Sequence, residues 1–420
     1  MELFDYDYLN GTASKYDTNH IHMYIEGDIS RSISELSNVD MGKFVHEYVH
    51  YLQHIMTLFG LNICTAFARA SILFIEYCRN KAEIILPIDL STICSPMADY
   101  IAYFNRVKGD KTARCAVDDI EIVTQNIAKA RKNKSAVEIG AYDYDYNVAL
   151  ESAFKFGYTC VIETMAHIIQ TRINPIVQHD IVPYLSGIKI FEYITGRKVT
   201  TEQDENLIVT LCYGALQHDN PGVAFIEGAY VIKDDSITDW HVLYKRIMNN
   251  IVVIEGNKFS LKQMLINFLD RYKKYLQISI GNDLQYYNKV IENIQIEVAN
   301  DRNLFLEMFF SGEIFNRELF ENKLTNYYGL PFVESDKIHI FPKNLDTATL
   351  RSLEILIIRF QCGKSNTICP WYKSCSKENQ EELSKISIEC KENQWDKTEK
   401  CLFTEALRYF RLSDKTIIQN

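Results

Sequence analysis

The chain has 420 residues, 47% of them hydrophobic and 12% aromatic, with a formal net charge of −10. That apolar content supports a large buried core and excludes a disordered chain. The acidic balance argues against nucleic acid as the main ligand.

Length alone suggests about two or three domains. The 17 glycines and 8 prolines are about half of average usage, which favours helices over many short strands and turns. The start, MELFDYDYLNG, lacks the basic region and apolar run of a signal peptide. No apolar stretch reaches the roughly 18 residues of a membrane span, so no membrane role is expected. Eleven cysteines, an odd number without a secretion signal, read as reduced thiols of a cytoplasmic protein.

In chain order, NHIHMYIEGDIS alternates, with His20, His22 and Tyr24 on one face and Ile21, Met23 and Ile25 on the other. This predicts a strand with one buried face. Asn38 or Asp40 then caps a helix expected to end at Gly60. A second helix, NICTAFARASILFIEYCRN, follows. MADYIAYFNRV is helical, residues 108–137 read as a polar surface excursion, and AVEIGAYDYDYNV reads as a strand. A single long helix is expected over ALESAFKFGYTCVIETMAHIIQTRI, stopping before Pro175. From there to about 325 the apolar spacing is mostly helical, broken at GRKVTTEQDE, HDNPG and IGND. A last helix, TATLRSLEILIIRFQ, leads into a tail holding five cysteines. The basic run KARKNK at 129–134 reads as a solvated loop. The fold class expected is mainly α (α+β). Two parts are expected, residues 1–345 as the main region with helical elaboration, which the motif below marks as catalytic, and residues 346–420 as a helical, Cys-rich C-terminal segment.

The stretch that carries chemistry is VHEYVHYLQH, residues 45–54. His46-Glu47-Tyr48-Val49-His50 fits H-E-x-x-H. On a helix, residues i and i+4 lie one turn apart on the same face, so both imidazoles reach one ion. The glutamate beside the first histidine then points near the ion's open position. There it can take the proton of a water that zinc has acidified. Phe44, Val45, Tyr48, Val49, Tyr51, Leu52, Ile55 and Phe59 make the rest of the helix apolar, leaving His46, His50, Gln53, His54 and Thr57 as a polar stripe. Buried polar groups need partners, and a metal satisfies two imidazoles at once.

A catalytic zinc needs a third protein ligand. The three-histidine pattern H-E-x-x-H-x-x-G-x-x-H fails at Gln53 and Met56, which leaves a glutamate from a later helix. Glu163, in CVIETMAHIIQ, shares a narrow polar stripe with His167 and Gln170, and the small Ala166 permits close helix approach. Glu227, in AFIEGAYVI, and Glu151, in ALESAF, are rivals.

HEYVH with a later E-x-x-A resembles the zincin metallopeptidases, specifically the branch with a glutamate as third ligand, the gluzincins. The resemblance covers about 40 residues. It implies a zincin-like catalytic core with a small N-terminal sheet surrounded by helices, one catalytic zinc on His46, His50 and Glu163, and Glu47 as general base. Many members have an aspartate four residues after the ligand glutamate to orient a motif histidine; here that position is His167. His167 could orient a ligand, stabilise the oxyanion, or pack. The family also uses a downstream His or Tyr as oxyanion donor; the candidates are His167, His179, Tyr213, His218, Tyr230 and His241. An edge strand beside the cleft, as the alternating segment offers, suits pairing with an extended peptide.

The tail cysteines, Cys362, Cys369, Cys375, Cys390 and Cys401, are too clustered for chance core packing, yet lack C-x₂-C pairs. Four of them could hold a structural zinc or an iron–sulfur cluster; a redox-sensitive patch and plain thiols are the alternatives. The function expected is zinc-dependent hydrolysis of a peptide bond in a specific intracellular protein target. A metal-dependent hydrolase of a non-peptide amide or ester, or an inactive partner-binding protein, are the other readings.

Overall fold

A computed structural model describes residues 14–17, 22–27, 29, 32–144, 148–280, 285–335, 339–340, 346–362, 369, 390 and 401–419. Among the described residues the architecture is mainly helical with four small sheets.

The N-terminal strands β1 (Lys15–Asp17) and β2 (His22–Ile25) pair antiparallel, Tyr16 opposite Met23. Met23 and Ile25 are buried as the alternation requires, and His22 is buried on the other face. The chain then enters helix α1 (Asn38–Ile55). Its cap is Ser37, whose hydroxyl oxygen accepts from Asp40 N, rather than Asn38 or Asp40. A serine cap of this kind contributes about 1 kcal/mol. From Phe44 to Leu61 every residue is buried.

Helix α1 stops at Ile55, not at Gly60. Thr57 caps helix α2 (Leu58–Arg79), accepting from Gly60 N. Gly60 lies inside α2, where a Cβ would fall 2.4 Å from His54 Cα. The glycine therefore permits the two helices to touch instead of ending one of them. Helix α2 is long and apolar enough to cross a membrane, and 78% of its most apolar window is buried within the fold.

The segment 108–137 is more ordered than its polarity suggests. It holds strand β3 (Asp119–Glu121) and a helix at Thr124–Asn133, of which only Ile127 and Ala130 are buried. With β4 (Val137–Asp143) and β5 (Val148–Phe156), β3 makes an antiparallel sheet. The long helix expected over 149–173 is thus divided. Phe154 and Phe156 are buried and Lys155 is exposed, a strand's period of two. Gly157 makes the turn, where a Cβ would meet Val107 O at 2.3 Å.

Helix α3 (Tyr158–Ile173) follows and packs along α1. Two small side chains ease the approach: Ala166 is fully buried, and a Cβ on Gly42 would touch Asn174 at 3.1 Å. After an irregular turn at Ile181–Leu185 come α4 (Ser186–Thr195), α5 (Glu202–Ala215) and α6 (Pro221–Asp234), with α5 and α6 also packing on α3. A hairpin at 251–260 and two helices, Leu261–Ile280 and Gln285–Ala299, continue the chain. Strand β6 (Phe332–Ser335) pairs in parallel with β2 and antiparallel with β7 (His339–Ile340), giving a sheet ordered β1-β2-β6-β7. Helix α7 (Asp346–Cys362) sets Phe360 edge-on against Phe74 of α2, and Thr416–Gln419 pairs in parallel with Glu83–Leu86.

The back of α1 is fixed by tyrosines. Tyr48 donates its one hydroxyl hydrogen to the carbonyl of Gly329 (2.9 Å), shared with that of Leu324 (3.2 Å), and Tyr51 donates to that of Tyr328 (2.6 Å). Each bond is worth about 1 kcal/mol. Together they fix the helix's rotation, so its histidine face is turned toward α3.

Candidate metal centre

Three side chains converge between α1 and α3. His46 Nε2 and His50 Nε2 are 3.2 Å apart, and Glu163 Oε2 lies 3.2 Å from the first and 3.4 Å from the second. Ligand atoms 2.0–2.1 Å from a tetrahedral zinc are about 3.3–3.4 Å from one another. The three atoms therefore already occupy one face of such a tetrahedron. Among the described residues this is the group of His, Cys, Asp and Glu able to hold an ion.

The electrostatics ask for a cation at this point. Burial opposes charge on His50, but the carboxylates of Glu163 and Glu47 outweigh it and push its pKa up to about 9. Burial likewise opposes charge on Glu163, yet His50 and His46 hold its carboxyl well below the usual range. Without a metal, a second proton on His50 serves as that cation.

His46, one corner of the triangle, lines a cleft of about 630 Å³ together with Glu47, Ser14, Glu26, Lys43, Gln170, His179 and Tyr184 among others. Glu47 is 6% exposed, so it reaches the cleft while held by the helix. His179 and Tyr184 come from the turn after α3. The Tyr184 ring lies 6.1 Å from that of His46 and 4.1 Å from that of His179. Burial, then Glu163 and Glu47, push the Tyr184 hydroxyl up to about 12, which keeps it a donor at neutral pH.

His167 does not line this cleft. It sits behind His179, with the two Nδ1 atoms 3.0 Å apart. Burial, with the neighbouring His179 and His46, lowers its pKa to about 4. Gln170, one helical turn on, has its Oε1 2.9 Å from His46 Nδ1. His54, the unassigned member of the α1 stripe, is also accounted for. Its Nδ1–H donates to His50 O at 2.6 Å and its Nε2 accepts from the Tyr158 hydroxyl at 2.7 Å. Burial lowers its pKa to about 3, so it is a neutral strut.

The rival ligands are elsewhere. Glu227, on α6, accepts from Arg131 Nε at 2.9 Å at the surface, and Glu151 is exposed on β5. Of the other oxyanion candidates, Tyr213 donates to Met56 O and His241 is exposed beside Asp239; neither these nor His218 and Tyr230 line the cleft. Tyr184 was not among the sequence candidates. Its signal is weak, a tyrosine five residues after His179 in an irregular HDIVPY segment with no period to place it.

In the tail, Cys369, Cys390 and Cys401 are buried, and Cys369 N donates to Cys390 O at 2.8 Å. Cys375 and the Cys362 side chain lie outside the described residues, and among those described there is no cysteine cluster of metal-binding geometry. A larger hollow of about 820 Å³, lined by Arg106, Lys129, Glu138 and Lys155, contains no histidine and belongs to the region of β4 and β5.

No protein-family model matches the chain, and neither a curated protein nor a solved structure matches it. The residues of the site therefore carry the functional reading by themselves.

Proposed function

We propose that this chain is a zinc-dependent metallopeptidase of zincin type that hydrolyses a peptide bond in a specific protein target in the cytoplasm. The observation that supports it is the triangle of His46 Nε2, His50 Nε2 and Glu163 Oε2, with sides of 3.2–3.4 Å, whose His46 lines a cleft together with the carboxylate of Glu47. When bound there, zinc supplies a Lewis acid that polarises a carbonyl and acidifies water.

The chain's own groups divide the remaining work. Glu47, one residue from His46, takes the proton of the attacking water and returns it to the leaving amine. The Tyr184 hydroxyl and His179 face the cleft as donors for the charge that develops on the carbonyl oxygen. His167 acts through His179, holding its ring from behind. Strand β1 stands at the edge of its sheet among the described residues, and Ser14 beside it lines the cleft. An extended peptide can lie along that edge and gain backbone hydrogen bonds, which favours a peptide over a small ester as substrate. The described cysteines are thiols, in keeping with a reducing compartment.

The test is cleavage of a peptide library by zinc-loaded protein and by Glu47→Gln. The expected result is that wild type cleaves a defined subset, while Glu47→Gln binds zinc and cleaves about 10²–10⁴-fold more slowly. Equal cleavage by the two proteins would remove Glu47 from the mechanism and the peptidase reading with it.

A further inference from the structure

The two glutamines around the triangle reach across between the helices. Gln170, on α3 with Glu163, places Oε1 2.9 Å from His46 Nδ1 on α1. Gln53, on α1 with His50, places Oε1 2.8 Å from His50 Nδ1, and its Nε2 donates at 3.0 Å to the carbonyl of Ile162, the residue before Glu163. Each helix thus sends one amide toward the other. Both amides are buried, at 3% and 5% exposure for Gln53 and Gln170.

The Ile162 bond fixes which way the Gln53 amide faces. Its nitrogen must point at the carbonyl, so its oxygen must point at His50. An amide oxygen only accepts, which places the hydrogen on His50 Nδ1 and leaves Nε2 bare in the neutral ring. Gln170 presents Oε1 to His46 Nδ1 at 2.9 Å, and an oxygen in that place calls for the hydrogen on His46 Nδ1 as well. We infer that Gln53 and Gln170 are positioning residues that hold the hydrogen on Nδ1 of both histidines, so that once the rings are neutral it is the two Nε2 atoms, set around Glu163, that are bare. The purpose of this arrangement rests on the metallopeptidase reading; the tautomers themselves do not.

The choice of amides has a chemical consequence. A carboxylate behind a ligand histidine raises its basicity and its grip on the metal. A neutral amide orients the ring without adding charge. The three proposed ligands then carry a single negative charge, on Glu163, against the two positive charges of the ion. The ion keeps more of its acidity toward water and substrate than it would with carboxylates behind both rings.

The experiment uses the full chain with ¹⁵N-labelled histidine. Metal-free protein is followed by long-range ¹H–¹⁵N spectra through an alkaline pH series and read where each ring has become neutral. Zinc affinity is measured separately by chelator competition. Wild type is expected to show both rings as Nδ1–H. Gln170→Met and Gln53→Met, which keep the volume but lose the acceptor, are expected to release His46 and His50 respectively toward the Nε2–H form and to weaken zinc binding about 10–100-fold. Gln170→Glu restores the acceptor; it is expected to keep the His46 tautomer and bind zinc more tightly than wild type. An Nε2–H signal for either ring in wild type, or methionine variants with unchanged tautomers and zinc affinity, would overturn the inference. Should the methionine variants fail to fold, wild type and Gln170→Glu still decide it. Nδ1–H tautomers in a protein that takes up no zinc would uphold the positioning role while contradicting the peptidase reading.

Discussion

Two clusters of buried histidine and carboxylate stand in this fold, and they are built in opposite ways. The first joins β2, β6 and α7. His22 Nε2 lies 2.7 Å from Glu334, Arg351 reaches the same carboxylate at 3.3 Å, and Arg351 also pairs with Glu354. This cluster brings its own permanent cation. Burial and Arg351 lower the His22 pKa despite Glu334, so its histidine serves as a neutral partner. The second cluster, between α1 and α3, surrounds its histidines with amides, further histidines and Tyr184. Its histidine His50 is driven the other way, up to about 9. The same residue types thus make a closed structural network in one place and a group able to hold a cation in the other. What separates them is whether an arginine is supplied, because a buried carboxylate must be balanced by something.

The largest effect expected is at the second cluster. Glu47→Gln should lower kcat by about 10²–10⁴-fold with zinc retained, read as turnover of a cleaved library peptide alongside metal content. If the same substitution removes the metal, Glu47 is a ligand rather than a base. Next, Arg351→Met in the first cluster should destabilise the protein by about 3–5 kcal/mol, because it strands buried carboxylates. Its zinc affinity should not move. Denaturant unfolding and chelator competition on the one variant test both halves, and a loss of zinc there would mean the clusters are coupled.

Tyr184→Phe should reduce kcat by about 10²–10³-fold with little change in KM, as expected for a donor used mainly in the transition state. A change confined to KM would make Tyr184 a binding residue. A pH series then separates the metal-free from the loaded protein. The raised His50 pKa stabilises the metal-free fold fully below the ordinary value of 6.5, and that contribution is lost as pH rises through about 9. The depressed Glu163 pKa stabilises it above the ordinary 4.5 and is lost on acidification. The Tm of metal-free protein should therefore fall between pH 6.5 and 9, and zinc should flatten that fall; parallel curves would mean that no ion replaces the His50 proton. The smallest effect is at the surface. Glu227→Ala should cost at most about 1 kcal/mol and leave zinc bound, since its partner is Arg131.

Much of the second cluster was legible in the sequence, and little of the first. H-E-x-x-H gives spacing and chemistry together, because helical period and ligand geometry coincide at i and i+4. Glu163 could be ranked first among the glutamates because an acid with His167 and Gln170 on an otherwise apolar helix needs a partner across the interface. Gln170 was visible in that stripe, but its distance to His46 depends on how α3 crosses α1, which no local pattern encodes. Tyr184 was invisible for the related reason that an irregular turn has no period. The division of residues 149–173 at Gly157 was missed because a short alternating run beside a strong helix reads as more helix. The first cluster could not be foreseen at all, since His22, Glu334 and Arg351 are joined by strand pairing over some three hundred residues of chain.

The most direct measurement is the metal content of the purified full-length protein, with His46→Ala alongside. About one zinc per chain is expected in wild type and none in His46→Ala, with both proteins folded by circular dichroism. Wild-type protein that takes up no zinc after incubation with excess ion, or a His46→Ala variant that keeps it, would contradict the metal centre and the function proposed from it.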